Sequence, residues 1–185
     1  MRIIGGKLKG KKLFFLESLT TRPLRDMVKE SIFNIIEHSN ILKIKIENSN
    51  ILDLYSGTGS FGIECLSRNA QSTTFIENEM SAIRVLKKNL QMFNLEGKSD
   101  IYTNEITRSI KKLKIDNFDI IFLDPPFADE NYKDILKIIK ETRNFKKDQL
   151  IILHRDISKK ESLEEIIKIL MIKEYGRSKI IFGVF

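Results

Sequence analysis

Near the middle of this 185-residue chain, the apolar run Ile120-Ile121-Phe122-Leu123 ends abruptly on Asp124, which is followed by Pro125, Pro126 and Phe127. The chain has only three prolines, and two of them stand side by side here. Each proline fixes its own φ at about −65°, and the first also biases Asp124 away from helix. The Asp124 carboxylate and the Pro125 carbonyl therefore form a pair of hydrogen-bond acceptors set before any ligand arrives. Phe127 adds a π-face on which a flat heterocycle can stack, a contact worth about 1–3 kcal/mol.

A second cluster lies upstream, in Ile51-Leu52-Asp53-Leu54-Tyr55-Ser56-Gly57-Thr58-Gly59-Ser60-Phe61-Gly62. Gly57-x-Gly59-x-x-Gly62 sits between an expected strand and an expected helix, and Glu77 follows at about the 20-residue distance of a ribose ligand. That spacing matches a dinucleotide fingerprint, but the pattern is common. Asp53 points elsewhere. Just ahead of the glycines it would repel a pyrophosphate, whereas it suits a cationic amino group.

Both clusters need elements to position them. From residue 50 onward, strands are predicted at 50–54, 73–77, 100–103, 119–123 and 149–154, with helices at about 60–69, 80–94, 106–114 and 131–143. Such alternation predicts an α/β fold whose mainly parallel sheet carries helices on both faces. A further helix is expected near 158–168. Segments 170–175 and 179–185, separated by Gly176-Arg177-Ser178, complete seven strands as an antiparallel C-terminal hairpin. Ahead of the core, Arg2–Leu16 reads as two short strands around Gly5-Gly6 and Gly10, and a helix follows from Thr21 with Val28, Ile32, Phe33, Ile35 and Ile36 on its apolar face. The expected organisation is one domain, 1–185, with a basic extension at 1–40 and a core at 50–185. In parallel sheets ligands bind beyond the carboxyl ends of the strands. The first four strands run out at Asp53, Glu77, Asn104 and Asp124, four polar side chains that can serve one ligand.

Charge is unevenly spread. Residues 1–25 carry seven basic groups (Arg2, Lys7, Lys9, Lys11, Lys12, Arg22 and Arg25) against Glu17 alone, and so hold six of the seven net positive charges. Such a patch suits a polyanion, through phosphate contact and counterion release. Its lysines are interleaved with Ile, Leu, Phe and glycine pairs, unlike a disordered tail. The single cysteine, Cys65, excludes an intrachain disulfide, reads as a core residue and fits a reducing cytoplasm. The apolar runs are strand-sized, so no membrane-crossing helix is expected. Two distant histidines and one cysteine offer no zinc ligand set. His154-Arg155-Asp156 has the letters of a kinase catalytic loop, but no kinase glycine loop or Asp-Phe-Gly accompanies it.

The Asp53–Gly62 segment resembles the first motif of S-adenosylmethionine-dependent methyltransferases, and Asp124-Pro125-Pro126-Phe127 their amino-methylating signature. The resemblance implies a Rossmann-like class I fold. It also implies cofactor contacts from Ser56, Gly57 and Gly59 to the methionine part, from Asp53 near its sulfonium and amino group, from Glu77 to the ribose hydroxyls and from Asn104 to adenine. Asp124, Pro125, Pro126 and Phe127 would then be catalytic. An exocyclic amine has its lone pair delocalised into the ring, and two acceptors on its N–H groups favour a tetrahedral, nucleophilic nitrogen.

The flanks narrow the substrate. RIIGGKLKGKKL, TRPLRDMVKESIFNII, DLYSGTGSFGIECLSRNA, DIIFLDPPF and KEYGRSKIIF occur in this order. Together they resemble RsmD-type 16S ribosomal RNA (guanine-N2) methyltransferases, over residues 2–182. The implied partner is 16S ribosomal RNA or the small ribosomal subunit, bound by the basic N-terminal patch, with a monomer expected and no metal. Lys11 and Lys29 stand where that family usually has arginine, Leu24 stands in place of threonine, and Leu153-His154-Arg155-Asp156 lacks the expected glutamate. No function is carried onto His154. The alternatives are a DNA adenine-N6 methyltransferase, for whose usual recognition domain no length remains, and a non-catalytic RNA-binding protein of the same fold, which would not need Asp124 and Phe127 intact.

Overall fold

The structure, a computed structural model, describes residues 1–16, 26–142 and 145–185. Its centre is a seven-stranded sheet made of β1 (Asn50–Leu54), β2 (Ser72–Ile76), β3 (Ser99–Tyr102), β4 (Ile120–Leu123), β5 (Leu150–Asp156), β6 (Lys168–Tyr175) and β7 (Ser178–Val184), in the order β3-β2-β1-β4-β5-β7-β6. The first five are mutually parallel, while β7 runs antiparallel to both β5 and β6. The helices are α1 (Asp26–His38), α2 (Ser60–Ser67), α3 (Met80–Met92), α4 (Ile106–Ile110) and α5 (Tyr132–Glu141).

Period-two alternation along the inner strands explains the layering. Ile51, Ile120, Phe122 and Ile152 pack with Phe33, Phe61 and Leu86 of α1–α3, whereas Leu52, Ile121, Leu123 and Leu153 pack with Ile110, Ile135 and Ile139 of α4 and α5. With both faces covered, β4 and β5 are buried along their whole length, the pattern of a doubly covered sheet. Each such aliphatic side chain contributes about 1.5–3 kcal/mol on burial. Cys65 is a buried free thiol in the first of these layers.

Three expectations fail. Residues 158–168 form no helix: they run through turns into β6, and Glu161 and Leu163 both face the protein, at 3% side-chain and 0% residue exposure. Residues two apart lie on one side of extended chain but on opposite sides of a helix. Helix α4 ends at Ile110 rather than 114, and a short 3₁₀ turn over Ile115–Asn117 leads into β4. The N-terminal hairpin is reduced to one antiparallel bridge, Arg2 to Lys12, around a 3₁₀ turn at Gly6–Leu8. Thr21 and the start of the following helix lie outside the described residues.

This N-terminal loop is anchored by a buried carboxylate. Glu64 of α2 accepts the Ile4 and Gly5 N–H groups (2.8 and 2.7 Å) and the Arg68 Nε–H (3.0 Å). Lys29 lies 3.6 Å away and donates to the Arg2 carbonyl at 2.7 Å. Lys29 is therefore no phosphate ligand: it is fully buried, and its job is structural.

Candidate active site

A cavity of about 640 Å³ opens beyond the carboxyl ends of β1, β2 and β4. It sits at the switch point, where the chain goes from β1 outward to β2 on one side while β4 packs on the other. Both motifs reach it, since its lining includes Asp53, Ser56, Gly57, Glu77, Asp124 and Phe127.

The sharp exit from β1 builds the glycine loop. Gly59 has φ +86° at the start of α2, and a Cβ there would lie 2.4 Å from Leu86 Cδ1. At Gly62 a Cβ would lie 2.3 Å from Phe75 Cε1, so the absent side chain lets α2 pack close to β2. The Ser56 N–H donates to the Ile76 carbonyl at 3.1 Å and ties the loop to the end of β2. Glu77 completes the tie. Its Oε2 accepts the Gly57 N–H at 2.7 Å, and its Oε1 accepts those of Asn78 and Glu79 at 2.9 and 2.8 Å.

Asp53 is buried, at 1% exposure. Its Oδ2 accepts the Gly62 N–H at 2.9 Å, whereas Oδ1 is buried without a partner among the described residues. Burial pushes its carboxyl well above the usual range; the Gly62 bond opposes this, and the charges of Asp124 and Glu77 add to it. An unpartnered buried carboxylate oxygen costs about 1–3 kcal/mol, so it marks a place for a donor. Asp53, Glu77, Glu79, Asp124 and Asp129 all line the cavity, with no lysine or arginine among the described residues. That lining fits the sulfonium and ammonium of S-adenosylmethionine and opposes a pyrophosphate. The cavity does not include Asn104, which is exposed beyond β3 with its carbonyl accepting the Ser109 hydroxyl at 3.4 Å.

Asp124 stands where β4 ends, its N–H directed at the Leu54 carbonyl (3.4 Å). Beyond it, Arg155 gathers the loop. Its guanidinium donates to the Pro126 carbonyl (3.1 Å), the Phe127 carbonyl (3.2 Å) and Glu130 (3.2 Å), while Nε donates to Glu161 (2.9 Å). Tyr132, hydrogen-bonded to Glu161, underlies the guanidinium at 4.4 Å. Pro125 is buried, and among the described residues nothing hydrogen-bonds its carbonyl. Tyr55, at φ +59°, lies beside the loop; burial and the neighbouring Asp129 push its hydroxyl up.

Three contributors escaped the sequence reading. His154 joins Asp124 through Nδ1 to Oδ1 at 2.8 Å, and Arg155 clamps the proline loop. At the mouth, Met1, Phe15 and Leu16 also line the cavity. Asn89 fixes that segment by bonding both the N–H and carbonyl of Phe14 (2.9 and 3.0 Å) and the Thr58 carbonyl (3.0 Å). Arg2, Lys7, Lys9, Lys11 and Lys12 are all exposed on the same loop, and Arg2 faces Asp26 at 3.4 Å. Arg22 and Arg25 lie outside the described residues. No helix among the described residues is long and apolar enough to cross a membrane.

Comparison with known proteins gives a consistent picture. Residues 1–184 match the family described as conserved hypothetical protein 95. The ribosomal RNA small subunit methyltransferase D of Haemophilus influenzae is 34% identical over 161 residues, covering 86% of this chain and 80% of that one. A solved structure of a candidate methyltransferase, yhhF of Escherichia coli, superposes with a TM-score of 0.80 at 26% identity, over 99% of this chain and 96% of that one. An RNA methyltransferase from Salinibacter ruber, solved with S-adenosyl-L-homocysteine, shares the fold at 11% identity, with a TM-score of 0.62 over 88% of this chain and 94% of that one.

Proposed function

The chain belongs to the conserved hypothetical protein 95 family, and from that premise we propose that it methylates the N2 amine of a guanine in small-subunit (16S) ribosomal RNA, with S-adenosylmethionine as donor. One observation carries the reading: the Asp124-Pro125 acceptors and the glycine loop open into the same acid-lined cavity. Bound there, S-adenosylmethionine supplies a methyl group on a cationic sulfur. Asp53 and the Gly57–Gly59 backbone hold its amino-acid part, Ser56 braces that loop, and Glu77 and Asn104 serve the ribose and adenine. Asn104 does so from outside the present lining.

Asp124 and the Pro125 carbonyl accept the two N–H groups of the guanine amine and turn its lone pair toward the methyl group. Pro126 and the Arg155 clamp keep the acceptors rigid, and the base stacks on Phe127. As the N–C bond forms and the C–S bond breaks, the electron pair goes to sulfur and positive charge develops on nitrogen. The Asp124 carboxylate stabilises that charge, and the methylated amine then releases its extra proton to water. Direct displacement needs neither a covalent enzyme intermediate nor a metal.

The acidic interior disfavours phosphate while the exposed N-terminal lysines attract it, so an unstacked base enters with its backbone left on the rim. Residues 1–40 serve as the RNA-binding extension of a single 1–185 domain, acting as a cytoplasmic monomer. The exposed lysines of this extension meet backbone phosphates, so recognition through it rests on the shape of prefolded RNA rather than on base-by-base contacts. Mass spectrometry of nucleosides after incubation with cofactor and small-subunit RNA or particles tests this. N2-methylguanine is expected. N6-methyladenine would overturn the substrate, and no methylated base would overturn the activity.

A further inference from the structure

His154 occupies the carboxyl end of β5, between β4 and β7. Its Nδ1 lies 2.8 Å from Asp124 Oδ1 and its Nε2 2.9 Å from Ser178 Oγ, at the start of β7. The ring is buried, at 7% exposure, and meets Phe127 edge-on, with centroids 5.6 Å apart and planes at 79°. One side chain thus touches both the carboxylate and the aromatic ring to which the proposed function gives the base.

Donor and acceptor chemistry gives this contact a direction. An ionised carboxylate only accepts, so Nδ1 must carry the proton it shares with Asp124. In the neutral ring Nε2 then accepts, and the Ser178 hydroxyl is the group beside it that can donate. The order Ser178→His154→Asp124 leaves Oδ1 committed. Nothing among the described residues hydrogen-bonds Oδ2, and Asp124 lines the cavity.

We propose that His154, oriented by Ser178, is a positioning residue that holds Asp124 with Oδ2 presented to the substrate amine and keeps Phe127 in its stacking pose. The inference rests on the methyltransferase reading above. Without that hold the carboxylate can rotate about its side-chain bonds, and a misplacement of about 1 Å at a reacting centre can cost on the order of 10²-fold. It also gives the C-terminal hairpin a part in the site, because β7 supplies Ser178.

The test compares wild type with His154→Ala, His154→Asn and Ser178→Ala in single-turnover methylation of small-subunit ribosomal RNA. His154→Ala should lower the maximal rate about 10–100-fold, with cofactor affinity held within about twofold. In asparagine the amide nitrogen sits on the γ-carbon, as Nδ1 does in histidine, so His154→Asn should recover most of the loss. Ser178→Ala should fall between wild type and His154→Ala. A wild-type rate in His154→Ala, or no rescue by asparagine, would overturn the proposal.

A second readout needs no turnover. In ¹⁵N NMR of the cofactor-free protein, His154 should be protonated at Nδ1, and this preference should disappear in Asp124→Ala; the only other histidine is His38. A ring protonated at Nε2 alone in wild type would sink the inference. A wild type that methylates no RNA yet shows the Nδ1 proton would instead sink the methyltransferase reading and leave the Ser178–His154–Asp124 geometry standing.

Discussion

Replacing Asp53 by asparagine should separate folding from cofactor binding. Among the described residues, Asp53 Oδ1 is buried without a partner, while Oδ2 holds the Gly62 N–H at 2.9 Å. Asparagine keeps an acceptor for Gly62, removes the charge and leaves an uncharged amide in place of the orphaned oxygen. Asp53 has a folded pKa raised above its unfolded value, chiefly by burial. Between those two values the native state binds the extra proton, so wild-type stability falls as pH rises from about 4 through the folded pKa. Asp53→Asn lacks that loss, so its advantage should grow with pH across the same window.

The expected gain is about 1–3 kcal/mol at about pH 8, because a charged group left unsatisfied in the interior costs more than the neutral amide that replaces it. In a chain of this size each kcal/mol moves Tm by about 2–4 °C, so the melting point should rise by about 2–12 °C. Affinity should move the other way. Losing a hydrogen bond to a charged group costs about 1.5–3 kcal/mol, a drop in S-adenosylmethionine binding of roughly 10–150-fold. Thermal melts from about pH 5 to 9, with titration calorimetry of the cofactor, measure both. A variant that is less stable than wild type at high pH, or that binds the cofactor equally well, would refute the assignment of Asp53 as an acid kept strained for a cation.

Asp124→Ala should slow methyl transfer by at least about 10²–10³-fold while calorimetry still detects cofactor binding; turnover near the wild-type rate would remove Asp124 from the mechanism. RNA affinity should fall steeply with salt, and replacing the exposed Lys9 and Lys11 by alanine should flatten the log–log slope by about 1.4–1.8. An unchanged slope would mean that those lysines face solvent only. Lys29→Ala strands Glu64 in the interior; such losses cost about 3–5 kcal/mol, and Arg68 at 3.0 Å from Glu64 should hold this one near the lower end. Urea unfolding measures it, and a loss under about 1 kcal/mol would show that Lys29 contributes little to anchoring the N-terminal loop.

Local chemistry made much of this protein legible from its residues. Alternating apolar segments of strand and helix length specify a doubly covered parallel sheet, because each strand in it must be apolar on both faces. Gly57-x-Gly59-x-x-Gly62 and Asp124-Pro125-Pro126-Phe127 stand out because glycine and proline restrict the backbone at their own positions, whatever the rest of the fold does. The closing strand pair around Gly176 was readable for the same reason.

What the one-dimensional pattern left open depends on which strands become neighbours. His154 reads as an isolated polar residue until β5 lies between β4 and β7, which brings it within hydrogen-bond distance of Asp124, 30 residues before it, and of Ser178, 24 after it. Lys29 reads as one more surface cation until α1 packs beside α2 and closes it over Glu64. The helix expected at 158–168 was lost because Arg155 and Tyr132 draw Glu161 inward, on the same side as Leu163, which helical periodicity forbids. Residue types and spacing determined the chemistry on offer, since those constraints act within a few residues. The partners of Asp53, Asp124 and Glu64 were decided by sheet order and helix packing, since a charge in a low-dielectric interior answers to whatever the fold brings within a few ångströms.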